Sequence, residues 1–96
     1  MKRITISIIT CTFNSEKYLR NALESVENQT YQKIEHIIND AYSTDSTLDI
    51  IREYIERNKN RYVIKLIQSE PKGVGNALNV ATKEATGEVI HYLHSD

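Results

Sequence analysis

Apolar residues along this chain recur with two alternating periods, and the changes of period mark out its elements. Ile4 to Thr12 is crowded with β-branched residues and predicts a first strand. Leu19, Ala22, Leu23 and Val26 follow i, i+3, i+4, i+7 spacing, one stripe of a helix. Asn14 and Ser15 precede it with side-chain oxygens suited to free helix-start amides, and polar Asn28-Gln29-Thr30 ends it. Ile34 to Asn39 predicts a second strand, with bulk from Ile34, His36, Ile37 and Ile38. Ser43 to Ser46 is a cluster of cap residues, and Ser46 with Asp49 resembles a capping box. Leu48, Ile51, Tyr54 and Ile55 mark a second helix, closed by polar Asn58 to Asn60. Tyr62 to Gln68 predicts a third strand. Pro71-Lys72-Gly73 is a turn, and Val74, Ala77, Leu78, Ala81 and Ala85 mark a third helix with Gly87 as its C-cap. Glu88 to Leu93 predicts a fourth strand.

Strands alternating with helices imply an α/β domain, a parallel sheet with helices packed on its faces. Crossovers in such sheets are right-handed. The expected spatial order is 3-2-1-4, with the first two helices on one face and the third on the other, three layers in all. Ligands of open α/β sheets bind beyond the carboxyl ends of the strands, where the winding reverses. Here the reversal falls between strands one and four. Strand one ends at Cys11-Thr12-Phe13-Asn14, strand two at Asp40 and strand four at His94-Ser95-Asp96. Phe13, Asp40 and Asp96 are therefore expected on one rim.

Composition narrows the class. A chain of 96 residues is enough for one domain and one core. Lys and Arg number 12 against 13 Asp and Glu, a net charge of -1 spread without like-sign blocks, so there is no electrostatic footprint for nucleic acid. Cys11 is the single cysteine, which excludes an internal disulfide. It reads as a small core residue and fits a cytoplasmic, reducing location. Met1-Lys2-Arg3 is basic, but Thr5, Ser7, Thr10 and Thr12 interrupt the apolar run after it, unlike a signal peptide. No segment approaches the length of a transmembrane helix.

Several rim residues carry candidate chemistry. A carboxylate at Asp40 can accept hydrogen bonds from a ligand's N–H groups; the plainer alternative is an Asp that caps its own turn. Asp96 offers hard oxygen to a divalent cation. His94 lies two residues earlier, on the same side of a continuing strand, and can share a metal or be an ordinary surface residue. Phe13 is the only phenylalanine, suited to stacking on a base or to core packing. Lys72 precedes the third helix, where lysine and free amides can hold phosphate, or where it is a solvated turn residue. The six tyrosines read mostly as core or interface residues.

Taken in order, these segments resemble family 2 glycosyltransferases. Ser7-Ile8-Ile9-Thr10-Cys11-Thr12-Phe13-Asn14 is similar to the family's strand ending in Thr-(Tyr/Phe)-Asn. Leu23-Glu24-Ser25-Val26, Gln29-Thr30-Tyr31 and Ile34-Glu35-His36-Ile37-Ile38 match its next stretch. Asp40 with Ser43-Thr44-Asp45-Ser46-Thr47 is similar to its Asp-rich, Ser-Thr-Asp loop. Glu70-Pro71-Lys72-Gly73, Asn76-Ala77-Leu78-Asn79 and Ala85-Thr86-Gly87-Glu88-Val89-Ile90 follow, and His94-Ser95-Asp96 falls at the Asp-x-Asp-type metal motif. The resemblance covers all 96 residues.

The resemblance implies a Rossmann-like GT-A domain over residues 1–96, truncated to its nucleotide-sugar-binding half. It implies a nucleotide-diphospho-sugar donor, a UDP-sugar above all, for transfer to an acceptor in polysaccharide or cell-surface glycan synthesis. Asp40 would recognise the base, Thr12, Phe13 and Asn14 would line the base and ribose pocket, and Lys72 would lie near ribose or phosphate. Asp96, with His94, would hold Mg2+ or Mn2+ on the diphosphate. The family's acceptor half and catalytic base lie downstream, so the chain by itself is expected to be inactive, with no catalytic residue assigned. The alternatives are a non-catalytic nucleotide-binding or interaction module and a receiver-like domain, which lacks the expected early acidic pair. The outer edge of strand four is expected to be covered by self-association into a homo-oligomer. Four positions depart from the pattern: Asn39 replaces an aliphatic residue, Ala41 and Tyr42 replace small glycines, and His94 replaces an acidic or amide residue. Gly75 also sits inside the third helix, at a cost of about 1 kcal/mol.

Overall fold

The computed structural model describes residues 3–95. Four strands, β1 (Ile6–Thr12), β2 (Ile34–Asp40), β3 (Val63–Gln68) and β4 (Val89–Tyr92), alternate with three helices, α1 (Leu19–Glu27), α2 (Thr47–Asn58) and α3 (Val74–Thr82). All strand pairs are parallel, and the sheet order is β3-β2-β1-β4, as the alternation of elements required.

Side-chain alternation divides the core in two. Ile8 of β1 and Ile34 and Ile38 of β2 pack against Leu19, Leu23 and Val26 of α1 and Ile50, Ile51 and Tyr54 of α2. On the opposite face Ile9 and Ile37 pack against Ala81 of α3, with Cys11, Ile67 and Leu78 around them. Each fully buried Ile or Leu contributes roughly 1.5–3 kcal/mol. β2 lies in the middle of this arrangement, and all seven of its residues are buried.

The helix starts differ from the sequence expectation. Neither Ser46 nor Asp49 caps α2. Asp45 accepts from the Thr47 amide at 2.9 Å, and Glu16, from the β1–α1 loop, accepts from the Ser46 amide at 3.0 Å. Asp45 in turn accepts from the Glu16 amide. The two loops thus cap one another across about thirty residues of chain. At α1 the Ser15 carbonyl, rather than a side chain, accepts from Tyr18 and Leu19. Asn14 instead takes a left-handed conformation, φ 47°, and its Oδ1 accepts from the Thr44 amide.

Gly87 is not a helix cap, because α3 ends at Thr82 with Lys83 as its cap. Its lack of a side chain serves packing: a Cβ there would land on the Ser7 hydroxyl and 2.8 Å from the Thr5 carbonyl oxygen. Only Tyr54 and Tyr62 of the tyrosines are buried, whereas Tyr18, Tyr31, Tyr42 and Tyr92 are exposed. Asn39 is buried, donates to the Ala77 carbonyl of α3 at 3.0 Å and accepts from Ser69 at 3.1 Å. Its amide therefore does at this strand end what an aliphatic residue cannot: it ties β2 to the helix and to the loop after β3. Among the described residues β4 pairs only with β1, and Val89, Ile90 and Tyr92 are exposed. No helix among them is long and apolar enough to cross a membrane.

Candidate nucleotide-sugar site

Two adjoining cavities open at the carboxyl rim where the winding reverses. The smaller, about 260 Å³, is lined by Cys11, Thr12, Phe13, Ala41, Pro71, Gly73, Val74 and Ala77. The larger, about 520 Å³, runs from Phe13 past Asn14, Ser15, Lys17 and Tyr18 to Tyr92, Leu93, His94 and Ser95 of β4 and its exit. Cys11, Phe13 and Val74 belong to both walls. No carboxylate lines either cavity among the described residues, and Lys17 is the one fixed positive charge on them. Such walls suit an anion with a flat apolar head.

The rim is held by hydrogen bonds between loops. Asp40 is 0% exposed, and its Oδ1 accepts from the Thr12 and Ser43 hydroxyls, each at 2.6 Å. Its Oδ2 accepts from the Ser43 amide at 2.8 Å. The Ser43 hydroxyl also accepts from the Asn14 amide at 2.8 Å, so one carboxylate ties together the loops after β1 and β2. Ser95, buried at the end of β4, donates to the Cys11 carbonyl at 3.0 Å and meets the Ser15 hydroxyl at 3.2 Å. Burial pushes the Cys11 thiol above its ordinary range, so it stays protonated and contributes only a weak donor. The start of α3 has no side-chain cap, and its N-cap Gly73 has φ 95°.

The family model of glycosyl transferase family 2 matches residues 7–96. The chain belongs to glycosyl transferase family 2. A poly(ribitol-phosphate) β-N-acetylglucosaminyltransferase, TarS of Staphylococcus aureus, is 38% identical over 92 residues, which cover 94% of this chain and 16% of TarS. The solved TarS fragment 1–349 with UDP-GlcNAc superimposes with a TM-score of 0.83 at 35% identity, over 97% of this chain and 27% of that one. The Pyrobaculum calidifontis mannosyltransferase PcManGT, solved with GDP-Man and Mn2+, gives 0.83 at 29% identity, over 93% and 26%. The chain spans about a quarter or less of the length of each of these relatives. The chain has the GT-A fold.

Of the family-type site residues, Phe13 is 55% exposed and stands between the cavities, Thr12 is buried at the wall of the smaller, and Asn14 and His94 line the larger. Lys72 lies between Pro71 and Gly73, both wall residues, but its own side chain is not on the wall. Asp40 lines neither cavity. Asp96, expected on the same rim as Phe13 and Asp40, lies outside the described residues. Among the described residues no three His, Cys, Asp or Glu side chains gather as a metal cluster, and His94 and Cys11 are the residues of those types at the larger cavity. Sequence reasoning missed Cys11, Ser15, Val74 and Tyr92. Cys11 was within reach: it alternates with Phe13 and so faces the same side of the strand.

Proposed function

We propose that this chain is the donor-binding half of a glycosyltransferase, seating a nucleoside diphosphate sugar with its base in the smaller cavity and its diphosphate-sugar part toward the larger. The observation that carries this is the pair of adjoining cavities at the β1–β4 reversal, joined by exposed Phe13. Phe13 offers a stacking face. Lys17, the uncapped start of α3 and nearby Lys72 favour negative charge. Family members of equal structural similarity support it, because TarS was solved with UDP-GlcNAc and PcManGT with GDP-Man. Transfer of the sugar to a polysaccharide or cell-surface acceptor belongs to the same proposal, with the acceptor site and general base supplied from outside these 96 residues.

A divalent cation, Mg2+ or Mn2+, fits this reading through Asp96, His94 and the donor's own diphosphate oxygens. Two side chains are fewer than its coordination shell needs, so diphosphate oxygens and water would have to complete it. The cation would supply stabilisation of charge on the leaving nucleoside diphosphate. Calorimetric titration with UDP-, GDP- and dTDP-sugars, with and without Mn2+, tests the proposal. Binding is expected, and Phe13→Ala should weaken it about 10-fold by removing a stacking face. A folded chain that binds none of them would end the proposal.

A further inference from the structure

Asp40 and Ala41 are neighbours in sequence, yet they stand on opposite sides of a functional divide. The Asp40 carboxylate lies on the α1–α2 side of the sheet, on the same face as His36 and Ile38. The smaller cavity opens on the α3 side, where its wall includes Val74 and Ala77 of α3. Three of the roughly four acceptor positions of the Asp40 carboxylate are filled by Thr12 and Ser43. Turning it toward a ligand would release both, and with them the Ser43 hydroxyl that holds the Asn14 amide. Ala41 is the residue from this corner that reaches the cavity wall, and its amide donates to the Thr12 carbonyl at 2.9 Å.

The rest of that wall is equally bare of readers. Phe13, Pro71, Gly73, Val74 and Ala77 carry no polar side-chain atom, the Thr12 hydroxyl is committed to Asp40, and the Cys11 thiol is a weak donor. We infer that Asp40 is a positioning residue that clamps the rim loops, and that the chain distinguishes weakly between bases, because the residue at the wall is Ala41. Uracil and guanine present an N–H at the position where cytosine and adenine present a lone pair. A carboxylate facing that position separates the two classes; an apolar wall holds either by stacking. The inference rests on the donor-site reading and fixes the breadth of its nucleotide class.

The test is calorimetric titration of UDP, CDP, GDP and ADP with Mn2+ present, since UDP and CDP differ only on the base edge. The native chain is expected to bind UDP and CDP within about threefold of each other. Asp40→Asn should weaken both by the same factor, about 10-fold, and leave their ratio unchanged, because the loops loosen while the wall is untouched. Ala41→Asp should move the ratio toward UDP by about 10-fold, through a charge-assisted hydrogen bond. A native preference for UDP beyond about 30-fold that collapses in Asp40→Asn would overturn the inference and make Asp40 the reader. An unchanged ratio in Ala41→Asp would also overturn it, and that variant does not depend on the survival of the Asp40 clamp. Failure of all four nucleotides to bind, with native circular dichroism, would instead remove the donor-site reading beneath it.

Discussion

Acid should destabilise this chain through one buried histidine well before its carboxylates respond. His36 is fully buried in β2. Its Nε2 is 2.8 Å from the Thr10 hydroxyl and its Nδ1 2.7 Å from the Tyr54 hydroxyl, which meets Tyr62 at 2.8 Å. Both ring nitrogens are thus engaged by hydroxyls, and among the described residues no carboxylate bonds the ring to offset a charge. Burial pushes the imidazole down to about 3 from its ordinary 6.5. Below pH 6.5 the unfolded chain takes up a proton that the folded chain refuses. The stabilisation is complete above 6.5 and is lost as pH falls toward 3, at about 1.4 kcal/mol per pH unit. From pH 7 to pH 5 this one group should cost about 2 kcal/mol, a large share of a small domain's stability. Glu27 and Glu35 both sit below the ordinary 4.5. For Glu27 the hydrogen bond from Arg57 dominates; for Glu35 burial raises the carboxyl, but hydrogen bonds from Ser7 and Thr86 together outweigh it. Their stabilisation persists above 4.5 and fades only below it, so it does not contaminate this window. Urea unfolding from pH 7 to pH 5 measures the effect, with His36→Gln as the comparison. The variant should be weaker at pH 7 but lose about 2 kcal/mol less on acidification. Parallel curves for the two proteins, or an imidazole that titrates near 6.5 in the folded chain, would refute the reasoning.

Two further outcomes follow from backbone geometry. Tyr42 holds φ 56° and is 51% exposed, and a left-handed bulky residue costs about 1–2 kcal/mol, an advantage of glycine that its unfolded-state entropy partly offsets. Tyr42→Gly should therefore raise the urea midpoint by a gain of up to about 1 kcal/mol at unchanged m-value. Gly87→Ala should lower stability by about 2 kcal/mol, because the methyl meets the Ser7 hydroxyl and the Thr5 carbonyl in a closed corner. A melting temperature equal to the native value would contradict that contact.

Order and sheet topology were legible because periodicity is local: Leu19, Leu23 and Val26 announce the buried face of α1 without knowledge of what covers it. The rim was legible for Phe13, whose position at the end of β1 follows from strand length. Cap partners were not. Glu16 caps Ser46 and Asn14 holds Thr44 across 30 positions, and no window along the chain shows such a pair. Tyr42 reads as a departure in sequence and becomes intelligible only with its dihedral angle. Asp40 shows a second limit. Its chemistry was visible, but at a strand end one step of alternation decides whether a carboxylate faces a ligand or the protein itself.

The hydroxyls that interrupt β1 acquire a common purpose from the register. Ser7 pairs with Glu35 and Thr12 with Asp40 directly across the β1–β2 ladder, and each hydroxyl donates to the opposite carboxylate. Thr10 reaches His36 in the same two strands. Glu35 also collects the Thr86 amide at 2.5 Å and hydroxyl at 2.9 Å, with the Gly87 amide at 3.2 Å. Three polar pairs therefore span the buried centre of the sheet, two of them near its opposite ends. An isoleucine-rich pair such as β1 and β2 would lose little packing in a neighbouring register if apolar contact were all that held it. A slip would strand the members of all three pairs, at roughly 1–3 kcal/mol for each buried group left unsatisfied. That penalty is comparable with the whole stability of a small domain. The polar residues of β1 thus fix where Phe13 emerges relative to Asp40 and Ala41, and the shape of the carboxyl rim is set within the strands that lead to it.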